Sequence, residues 1–348
     1  MHYNEDIASI EYRGHDEGTF RIRYRVTALC NYSCAFCVQG SREEHIRAAR
    51  EEGNRVRQEI TDALVSFIET ELRGYKAITI DLIGGEVTVL KQFPSIMEQL
   101  IDCDYPGNLT IHITTNLSLS KERLVEMCSL FDGKRNRFLT LSASYYRDYT
   151  TVEEFVDKIE AMAKGRVTRR RDKLGYVMGR LRWRVPRLRE KLQISVGFPI
   201  LDDESYAEYL DFKEKYLGIL AGVDPIVIRG YPVDLSNEVK ERLRSSGGRR
   251  VKVAFKDGTI AFYRNIQQVA LELDDVERFC PDGFVCDAGI DNISIDVDGE
   301  VYRCPVIPRD EAMRLGNIHD GFQRLREPRL CEANHCSCNV YRHIFKPI

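Results

Sequence analysis

Short apolar stretches alternate with longer amphipathic ones over the first two-thirds of the chain. The short stretches are rich in β-branched and apolar residues, and they predict strands at residues 21–28, 77–83, 109–115, 138–143, 193–200 and 225–229. The longer stretches carry apolar residues at helical spacing, and they predict helices at residues 54–73, 90–101, 121–130, 152–163 and 204–220. Strand–helix repeats with short loops favour a mostly parallel sheet with its helices outside. Because a closed barrel takes eight repeats and this chain shows six, we expect an open, TIM-like partial (β/α)6 barrel of the α/β class.

The pattern changes after about residue 245. Ser245-Ser246-Gly247-Gly248 forms a break, and shorter pieces follow it. Two Asp-Gly pairs are strong turn signals, and they predict hairpins of residues 251–255 with 259–263 and of residues 293–296 with 301–304. Few apolar segments here are long enough for a separate core. We therefore predict a barrel domain at residues 1–240 and a small, metal-organised hairpin domain at residues 245–348.

A strongly basic segment at residues 164–191 interrupts the expected spacing between the fourth and fifth strands. It contains twelve Lys or Arg residues, two acidic residues and the only tryptophan, Trp183. Such a segment suits an anionic substrate, for instance as an anion-binding lid over the active site, an acidic peptide or RNA phosphates. The alternative is a solvated helix face that pairs with acidic patches elsewhere. Nucleic acid is the least favoured of these partners, because a single tryptophan is a thin basis for base stacking.

Composition narrows the class of protein. The 348 residues are 43 % hydrophobic and 30 % charged, which is typical of a globular chain with a hydrophobic core. The formal net charge of −3 is too small to indicate a strongly charged binding partner. The longest apolar runs are far shorter than the roughly 18 residues that a membrane span needs. The polar N-terminus has no signal-peptide apolar region behind it, so we expect a cytoplasmic protein with no membrane partner.

Cysteine is abundant and clustered. Of the eleven cysteines, three lie at positions 30, 34 and 37 and six lie between residues 280 and 338. Cys103 and Cys128 stand apart in predicted helices, where they suit buried small hydrophobes. An odd number, in a chain with no sign of an oxidising compartment, argues against a disulfide framework. Clustered thiols in a reducing compartment predict metal or iron–sulfur ligands.

The first group, Cys30, Cys34 and Cys37, has the spacing C-x3-C-x2-C and follows the first predicted strand. Three thiolates on one tight loop can hold three irons of a 4Fe–4S cluster and leave the fourth iron open to a substrate chelate. A zinc site is the alternative, although structural zinc usually takes four protein ligands.

This spacing, with the aromatic Phe36 before the last cysteine, resembles the signature of the radical S-adenosylmethionine superfamily. Two further segments match that family where they are expected. Gly84-Gly85-Glu86 ends the second predicted strand and is similar to the family's GGE motif. Thr114-Thr115-Asn116 ends the third and is similar to its TNG-type turn, with Leu117 in place of the usual glycine. The resemblance covers about residues 20 to 230.

The resemblance implies a mechanism and a set of roles. In the family, the methionine part of S-adenosylmethionine chelates the open iron, reduction cleaves a carbon–sulfur bond, and the resulting 5′-deoxyadenosyl radical abstracts a hydrogen atom. The resemblance implies that the three cysteines hold the cluster and that Phe36 lies near the adenine. It also implies that Gly84, Gly85 and Glu86 hold the methionine amino group.

The residues themselves suggest similar contacts. Two glycines let the backbone approach a ligand closely, and a carboxylate beside them can accept hydrogen bonds from an ammonium; a plain turn is the alternative. Asn116 and Ser144, at later strand ends, are candidate contacts to a ribose or a carboxylate. Turn capping is the alternative for both.

The C-terminal cysteines resemble the auxiliary-cluster domains called SPASM and their shortened form, twitch. A cysteine before a hairpin, a cysteine closing it, a Gly316-Asn317-Ile318 step and terminal cysteines occur in the matching order. Six cysteines are too few for the two clusters of a full SPASM domain, so we expect one auxiliary 4Fe–4S cluster. Structural zinc is the alternative, because the same thiols suit both metals. The candidate ligands are Cys286 and Cys304 with two of Cys331, Cys336 and Cys338, and Cys280 is a spare thiol or an unusual ligand.

Together these features predict a radical S-adenosylmethionine enzyme, of oxidoreductase or lyase type, that abstracts a hydrogen from a small molecule. The auxiliary cluster would aid an oxidation or a rearrangement, and a flavodoxin- or ferredoxin-type protein would donate electrons. Modification of a ribosomal peptide, by crosslinking or epimerisation, is the alternative within the class. We favour a small molecule because only about twenty residues precede the first predicted strand, too few for the peptide-recognition domain of many peptide-modifying relatives. A non-catalytic iron–sulfur or zinc protein is the alternative from another class.

Overall fold

A computed structural model describes residues 7–12, 18–37, 54–164, 166, 191–216, 220, 222–227, 234–245, 251–263, 284–304, 311–330 and 346–347. The chain divides into two compact units, one of residues 24–228 and one of residues 1–23 with 229–348. The predicted domains, residues 1–240 and 245–348, stay a prediction. The basic segment from residue 167 to 190 and four of the predicted ligand candidates lie outside the described residues: Cys280, Cys331, Cys336 and Cys338.

A sheet of consecutive strands forms the unit of residues 24–228. After β1 (Ile7–Tyr12), which belongs to the other unit, β2 (Thr19–Thr27) enters this sheet. The strands that follow are β3 (Ala77–Gly84), β4 (Asn108–Thr115), β5 (Arg137–Ser144), β6 (Leu192–Ile200) and β7 (Gly222–Val227). The order is β2-β3-β4-β5-β6-β7, and each pairing from β3 to β7 is parallel. Among the described residues β7 does not pair with β2, so the sheet is open and the predicted partial (β/α)6 barrel of the α/β class is confirmed.

Helices connect successive strands of this sheet. They are α1 (Asn54–Glu71), α2 (Phe93–Asp102), α3 (Lys121–Ser129), α4 (Val152–Ala163) and α5 (Asp203–Tyr216). Local signals set where two of them begin: Ser120 accepts a hydrogen bond from the Arg123 N–H at the start of α3, and Thr151 with Glu154 forms a capping box at α4. Within the part of the chain that is described, no helix combines the length and the apolar character needed to cross a membrane.

The face of the sheet that meets the helices is apolar. Every second residue along the strands points to this side, and Ile80, Ile111 and Leu141 are completely buried there. Phe198 of β6 packs against Phe212 of α5, with ring centroids 5.8 Å apart. Burial of these side chains holds the helices on the sheet.

The opposite, inner face carries polar side chains. Asp81 Oδ1 lies 3.0 Å from His112 Nδ1, and His112 Nε2 lies 2.8 Å from Ser142 Oγ. Ser142 Oγ in turn lies 3.4 Å from Ser195 Oγ. One hydrogen-bonded row therefore crosses four adjacent strands, β3 to β6, on the inner side of the sheet.

The other unit is built from short antiparallel pieces. Its helix is α6 (Asn237–Ser245), and β1 pairs with β8 (Val251–Phe255), which pairs with β9 (Ile260–Tyr263). Four further strands pair in sequence order: β11 (Asn292–Ile295), β12 (Glu300–Tyr302), β13 (Arg314–Asn317) and β14 (Gly321–Phe322). β10 (Phe284–Cys286) lies between β15 (Arg329–Leu330) and β16 (Lys346–Pro347). Both predicted hairpins are present, whereas β1 and α6 have no counterpart in the prediction.

Candidate functional site

The three N-terminal cysteines share the loop that follows β2. Cys30, Cys34 and Cys37 are each partly exposed. The Cys37 N–H donates to the Cys34 carbonyl at 3.0 Å, which closes a turn around the last two cysteines. The Tyr32 N–H donates to Cys30 Sγ at 3.5 Å, the kind of hydrogen bond that stabilises a thiolate ligand. The loop therefore holds three partly exposed cysteines within eight residues.

The thiols are close enough to perturb one another. Burial, and then the neighbouring Cys37 and Cys30, raise the pKa of the Cys34 thiol to about 11. Burial also raises the pKa of Cys30, and Glu86 and Cys37 act in the same direction. The three sulfur atoms thus share one electrostatic site, in which a metal centre would supply the positive charge that thiolates need.

Two glycines bring the end of β3 against the backbone that leads into the cysteine loop. A Cβ on Gly84, whose φ is +150°, would lie 2.0 Å from the Thr27 carbonyl oxygen, and a Cβ on Gly85 would lie 2.1 Å from that of Leu29. The Gly85 and Glu86 N–H groups donate to these same carbonyls at 3.0 and 2.8 Å. The Gly-Gly pair is therefore required for packing against the protein's own backbone. Its contact with the methionine amino group stays a prediction.

Protein donors surround the carboxylate of Glu86, which is 1 % exposed. Oε1 accepts hydrogen bonds from the hydroxyls of Thr88 at 2.6 Å and Thr115 at 2.9 Å and from the Thr88 N–H at 3.2 Å. Oε2 accepts from the Asn116 N–H at 2.6 Å. Burial raises the pKa of this carboxyl, and these hydrogen bonds lower it. Glu86 thus ties the end of β3 to the turn after β4, and its predicted contact with an ammonium would use the remaining acceptor capacity of Oε2.

Asn116 links the turn after β4 to the cysteine loop. Its Nδ2 donates to Asn31 Oδ1 at 3.1 Å, and Asn31 directly follows Cys30. Its Oδ1 accepts a hydrogen bond from the Ser118 N–H at 3.0 Å, which is the turn-capping contact expected as the alternative to ligand binding. Asn116 therefore positions the loop, and its contact with a ribose or a carboxylate stays a prediction.

Leu117 shows how this turn forms without a glycine. Its φ is +52°, in the left-handed region that glycine normally occupies. The Leu117 N–H donates to Thr115 Oγ1 at 3.1 Å, and the Leu117 carbonyl accepts from Lys158 Nζ at 2.8 Å. Its side chain is 1 % exposed, so burial of the leucine offsets the strain of its backbone.

An aromatic wall that the sequence analysis missed stands beside the cysteine loop. Tyr149 stacks on Tyr32 with ring centroids 3.9 Å apart, and its Oη accepts a hydrogen bond from the Ser33 N–H at 2.8 Å. Tyr146 meets Tyr32 edge-on at 5.9 Å and lies 5.8 Å from Phe36. The available signal was a run of tyrosines directly after β5.

A surface pocket lies next to this wall. Its lining includes Cys34, Phe36 and Phe198, so it opens at the carboxyl end of the sheet, where parallel sheets bind ligands. The Ser144 side chain hydrogen-bonds Tyr146, another lining residue, and burial raises the pKa of that phenol to about 12. Phe36 thus lines a pocket. Its proximity to an adenine stays a prediction, as does a ligand contact of Ser144.

The far side of the pocket carries both signs of charge. Arg147 forms ion pairs with Asp202 at 3.1 Å and with Glu204 at 3.5 Å. Glu208 also lines the pocket, and burial raises the pKa of its carboxyl, although Arg147 lowers it. A ligand with polar ends would find partners here.

In the other unit, Cys286 and Cys304 lie in one buried group. They share it with Ala288, Tyr302 and Met313. The Ala288 N–H donates to Cys286 Sγ at 3.4 Å, the same arrangement as the Tyr32 N–H and Cys30. β10 pairs with β15 so that Cys286 stands opposite Arg329, two residues before Cys331. The structure therefore brings together the two ligand candidates that it describes.

Cluster ligands need not converge on one point. Among the described residues, no three His, Cys, Asp or Glu side chains are grouped as ligands of a single metal ion. A 4Fe–4S cluster instead takes each thiolate on a different iron, and the two cysteine groups have the donor type for it. Cys103 and Cys128 are 5 % and 1 % exposed, which confirms that they are buried core residues.

Comparison with known proteins finds similarity only in structure. No family model matches the chain, and no curated protein matches it. The crystal structure of Streptococcus suis SuiB bound to S-adenosylmethionine covers 86 % of this chain at 13 % identity, with a TM-score of 0.43; the chain spans 64 % of the SuiB chain, less than two thirds. The structure of anSMEcpe with bound AdoMet, which is S-adenosylmethionine, covers 87 % of this chain and 75 % of its own at 12 % identity, with a TM-score of 0.44. That of BtrN in complex with AdoMet and 2-DOIA covers 87 % and 80 % at 12 % identity, with a TM-score of 0.38.

All three solved structures hold the cofactor that the cysteine motif implies. At identities of 12–13 % and TM-scores below 0.5, this similarity concerns the fold alone.

Proposed function

We propose that this chain is a radical S-adenosylmethionine enzyme that abstracts a hydrogen atom from a small-molecule substrate. The observation that carries the proposal is the way in which three adjacent strand ends are joined at one loop. Cys30 opens the loop after β2, the Gly85 and Glu86 N–H groups at the end of β3 bond to its entry, and Asn116 after β4 bonds to Asn31 within it. These hydrogen bonds place the three thiols beside two neighbouring strand ends, where groups that could hold a cofactor stand.

The donor set fits a 4Fe–4S cluster with one open iron. Cys30, Cys34 and Cys37 would supply three thiolates from a single loop. When bound, the cluster and S-adenosylmethionine supply the reductive carbon–sulfur cleavage that yields a 5′-deoxyadenosyl radical. The chain's own residues would hold and orient the cofactor, with Glu86 as acceptor for the amino group and Phe36 beside the adenine.

Two further groups would support the cofactor. Asn116 would contact the ribose or the carboxylate through the side chain that also bonds to Asn31. Tyr146, which Ser144 orients, would close the aromatic side of the pocket and exclude water from it.

The inner face of the sheet suits a polar substrate. The row from Asp81 through His112 and Ser142 to Ser195 replaces the apolar side chains found on the helix face. The His112 side chain is 26 % exposed, so it is within reach of a molecule on that face. A small molecule with hydroxyl or amino groups would find hydrogen-bond partners there.

The C-terminal cysteines would hold one auxiliary 4Fe–4S cluster, ligated by Cys286, Cys304 and two of Cys331, Cys336 and Cys338. The shared buried group of the first two, and the approach of the strand before Cys331 to Cys286, support this proposal. A cluster there would accept an electron from the substrate radical in an oxidation, or relay one transiently in a redox-neutral rearrangement. The reaction would then be of oxidoreductase or lyase type, and the first cluster would draw its electron from a flavodoxin- or ferredoxin-type donor.

A peptide substrate is the second candidate. SuiB has also been crystallised bound to precursor peptide SuiA. Stimulation of 5′-deoxyadenosine formation by the peptide fraction of a cell extract, and not by its small-molecule fraction, would favour this candidate. The opposite outcome would favour the small molecule.

EPR spectroscopy of the anaerobically reconstituted, dithionite-reduced protein tests the proposal. We expect a reduced-cluster signal that changes when S-adenosylmethionine is added, because the open iron gains new ligands. The triple variant Cys30→Ala, Cys34→Ala and Cys37→Ala keeps the C-terminal cysteines and should lose this change. Zinc in place of iron after reconstitution, or a signal that S-adenosylmethionine leaves unaltered, would contradict the proposal.

A further inference from the structure

A buried arginine stands next to Cys304. Arg303 follows β12 and is 3 % exposed. Its Nη2 donates to the Leu330 carbonyl at 2.7 Å, and its Nε lies 2.7 Å from Met313 Sδ. Its Nη1 is buried and, as far as the structure is described, has no hydrogen-bond partner. Neither of the two partners carries a negative charge.

In such surroundings, no negative charge on either partner offsets the free-energy cost of burying the guanidinium. Arginine keeps its charge at any ordinary pH, and moving a charge out of water costs far more than one neutral hydrogen bond and one thioether contact return. A buried polar group without a protein partner marks strain, a bound water, a bound ion or a redox group. Of these, an anionic group is the one that would also compensate the buried charge of Arg303.

The surroundings of Arg303 are the predicted ligands of the auxiliary cluster. Cys304 is the next residue, and Met313 shares its buried group with Cys286 and Cys304. Leu330, whose carbonyl Arg303 binds, directly precedes Cys331 and pairs with Val285, the neighbour of Cys286. Arg303 thus directly precedes one predicted thiolate ligand and hydrogen-bonds the residue before another.

We propose that Arg303 is the counter-charge of an anionic, thiolate-bound iron–sulfur cluster in this unit. The inference rests on the auxiliary-cluster part of the proposed function. A cluster on cysteine thiolates carries net negative charge, and reduction adds another, so a nearby guanidinium stabilises the reduced form more than the oxidised form. Arg303 is then a positioning residue with two effects: it holds the segment before Cys331 in place, and it raises the reduction potential of the cluster.

The test uses the full chain with Cys30→Ala, Cys34→Ala and Cys37→Ala, so that bound iron reports on the C-terminal site alone. In this background Arg303→Gln keeps an amide donor for the Leu330 carbonyl but loses the positive charge. Arg303→Lys keeps the positive charge but loses the planar arrangement of donors in the guanidinium. Arg314→Met is the matched control, because it removes a positive charge from the same unit at an exposed ion pair with Glu300. Iron per chain, the midpoint potential followed by EPR and the thermal unfolding of the metal-free form are measured for each.

We expect Arg303→Gln to bind iron on the order of tenfold more weakly, as when other metal sites lose an outer partner, and to show a more negative midpoint potential. Arg303→Lys should keep a midpoint potential close to that of the parent, and Arg314→Met should match the parent throughout. Equal iron binding and an equal midpoint potential in Arg303→Gln and the parent would overturn the inference. Parallel losses of iron in Gln and Lys variants, with an unchanged midpoint potential and a less stable metal-free form, would overturn it too, because they indicate a packing role.

Failure of this inference and failure of the proposed function give different results. A parent that takes up no iron overturns the inference together with the auxiliary cluster. The S-adenosylmethionine-dependent EPR change of the chain with all its cysteines decides the proposed function separately. If the C-terminal site binds iron but S-adenosylmethionine causes no EPR change in the chain with all its cysteines, the proposed function is contradicted. The proposed role of Arg303 beside the auxiliary cluster would still stand.

Discussion

At Gly85, the sequence motif predicts a close approach of the backbone to another group but does not identify that group. The Gly-Gly pair of the sequence indicates a close approach, and the structure confirms that there is no room for a side chain at Gly85. The approaching group is the Leu29 carbonyl of the neighbouring segment rather than a ligand. No local pattern could name that neighbour, because it depends on how β2 and β3 lie in the sheet.

Gly85→Ala should destabilise the fold and reduce iron retention. The added Cβ would lie 2.1 Å from the Leu29 carbonyl oxygen. Overpacking of this kind typically lowers the free energy of unfolding by about 1–3 kcal/mol. The matched control is Gly74→Ala, whose added Cβ meets nothing within 4 Å. We expect that control to change the unfolding free energy by less than about 0.5 kcal/mol. Denaturant unfolding and iron counting measure both effects, and equal behaviour of the two variants would contradict the packing argument.

Leu117→Gly introduces a glycine at the left-handed position of this turn and should still destabilise the protein. Relief of the left-handed backbone gains about 1–2 kcal/mol. Loss of a fully buried leucine side chain costs about 2–5 kcal/mol, so the loss outweighs the gain. Asn136→Gly, at φ +57° on a partly exposed residue, is the control and should have a smaller effect. Urea unfolding compares them, and a Leu117→Gly variant more stable than the parent would show that burial does not offset the strain.

At the scale of elements, prediction succeeded where the signal lies within the element itself. The predicted helix at residues 152–163 agrees with α4 to the residue, because Thr151 and Glu154 form a capping box at its start. β1 (Ile7–Tyr12) was missed, since it is short and its partner β8 (Val251–Phe255) lies more than two hundred residues later in the sequence. The aromatic wall was missed for the same reason. The role of Tyr149 depends on its contact with a loop more than a hundred residues earlier, which the local sequence does not show.

The aromatic wall should help to hold the cysteine loop in place. Tyr149→Phe keeps the stacking on Tyr32 but removes the oxygen that accepts the Ser33 N–H. Such a hydrogen bond contributes about 0.5–1.5 kcal/mol, so we expect faster loss of iron to a chelator with little change in global stability. Tyr105→Phe is the control, since it also removes one tyrosine hydrogen bond, to the Tyr75 carbonyl, away from the loop. Equal rates of iron loss from both variants would contradict this role.

At the scale of the whole molecule, the fold class could be predicted because one strand–helix unit recurs along the chain. The strand-end motifs of the candidate site could be predicted as well, since Cys30, Glu86 and Asn116 each follow a recognisable strand. The row through His112 and Ser142 could not, because its members come from separate strands and each is an ordinary polar residue in the sequence. The strand-end motifs and the polar row both underlie the central claim of the proposed function. That claim is that the cysteine loop is the centre of a radical S-adenosylmethionine enzyme.

Formation of 5′-deoxyadenosine tests that claim most directly. The chain is reconstituted anaerobically with iron and sulfide, reduced with dithionite and given S-adenosylmethionine, and the nucleoside is quantified beside the iron content. We predict that the parent forms 5′-deoxyadenosine, that Cys30→Ala, Cys34→Ala and Cys37→Ala together abolish it, and that a Cys103→Ala, Cys128→Ala double variant retains it, since those two cysteines are buried outside the loop. Fully iron-loaded parent protein that forms no 5′-deoxyadenosine, or a triple variant that forms as much as the parent, would contradict the account.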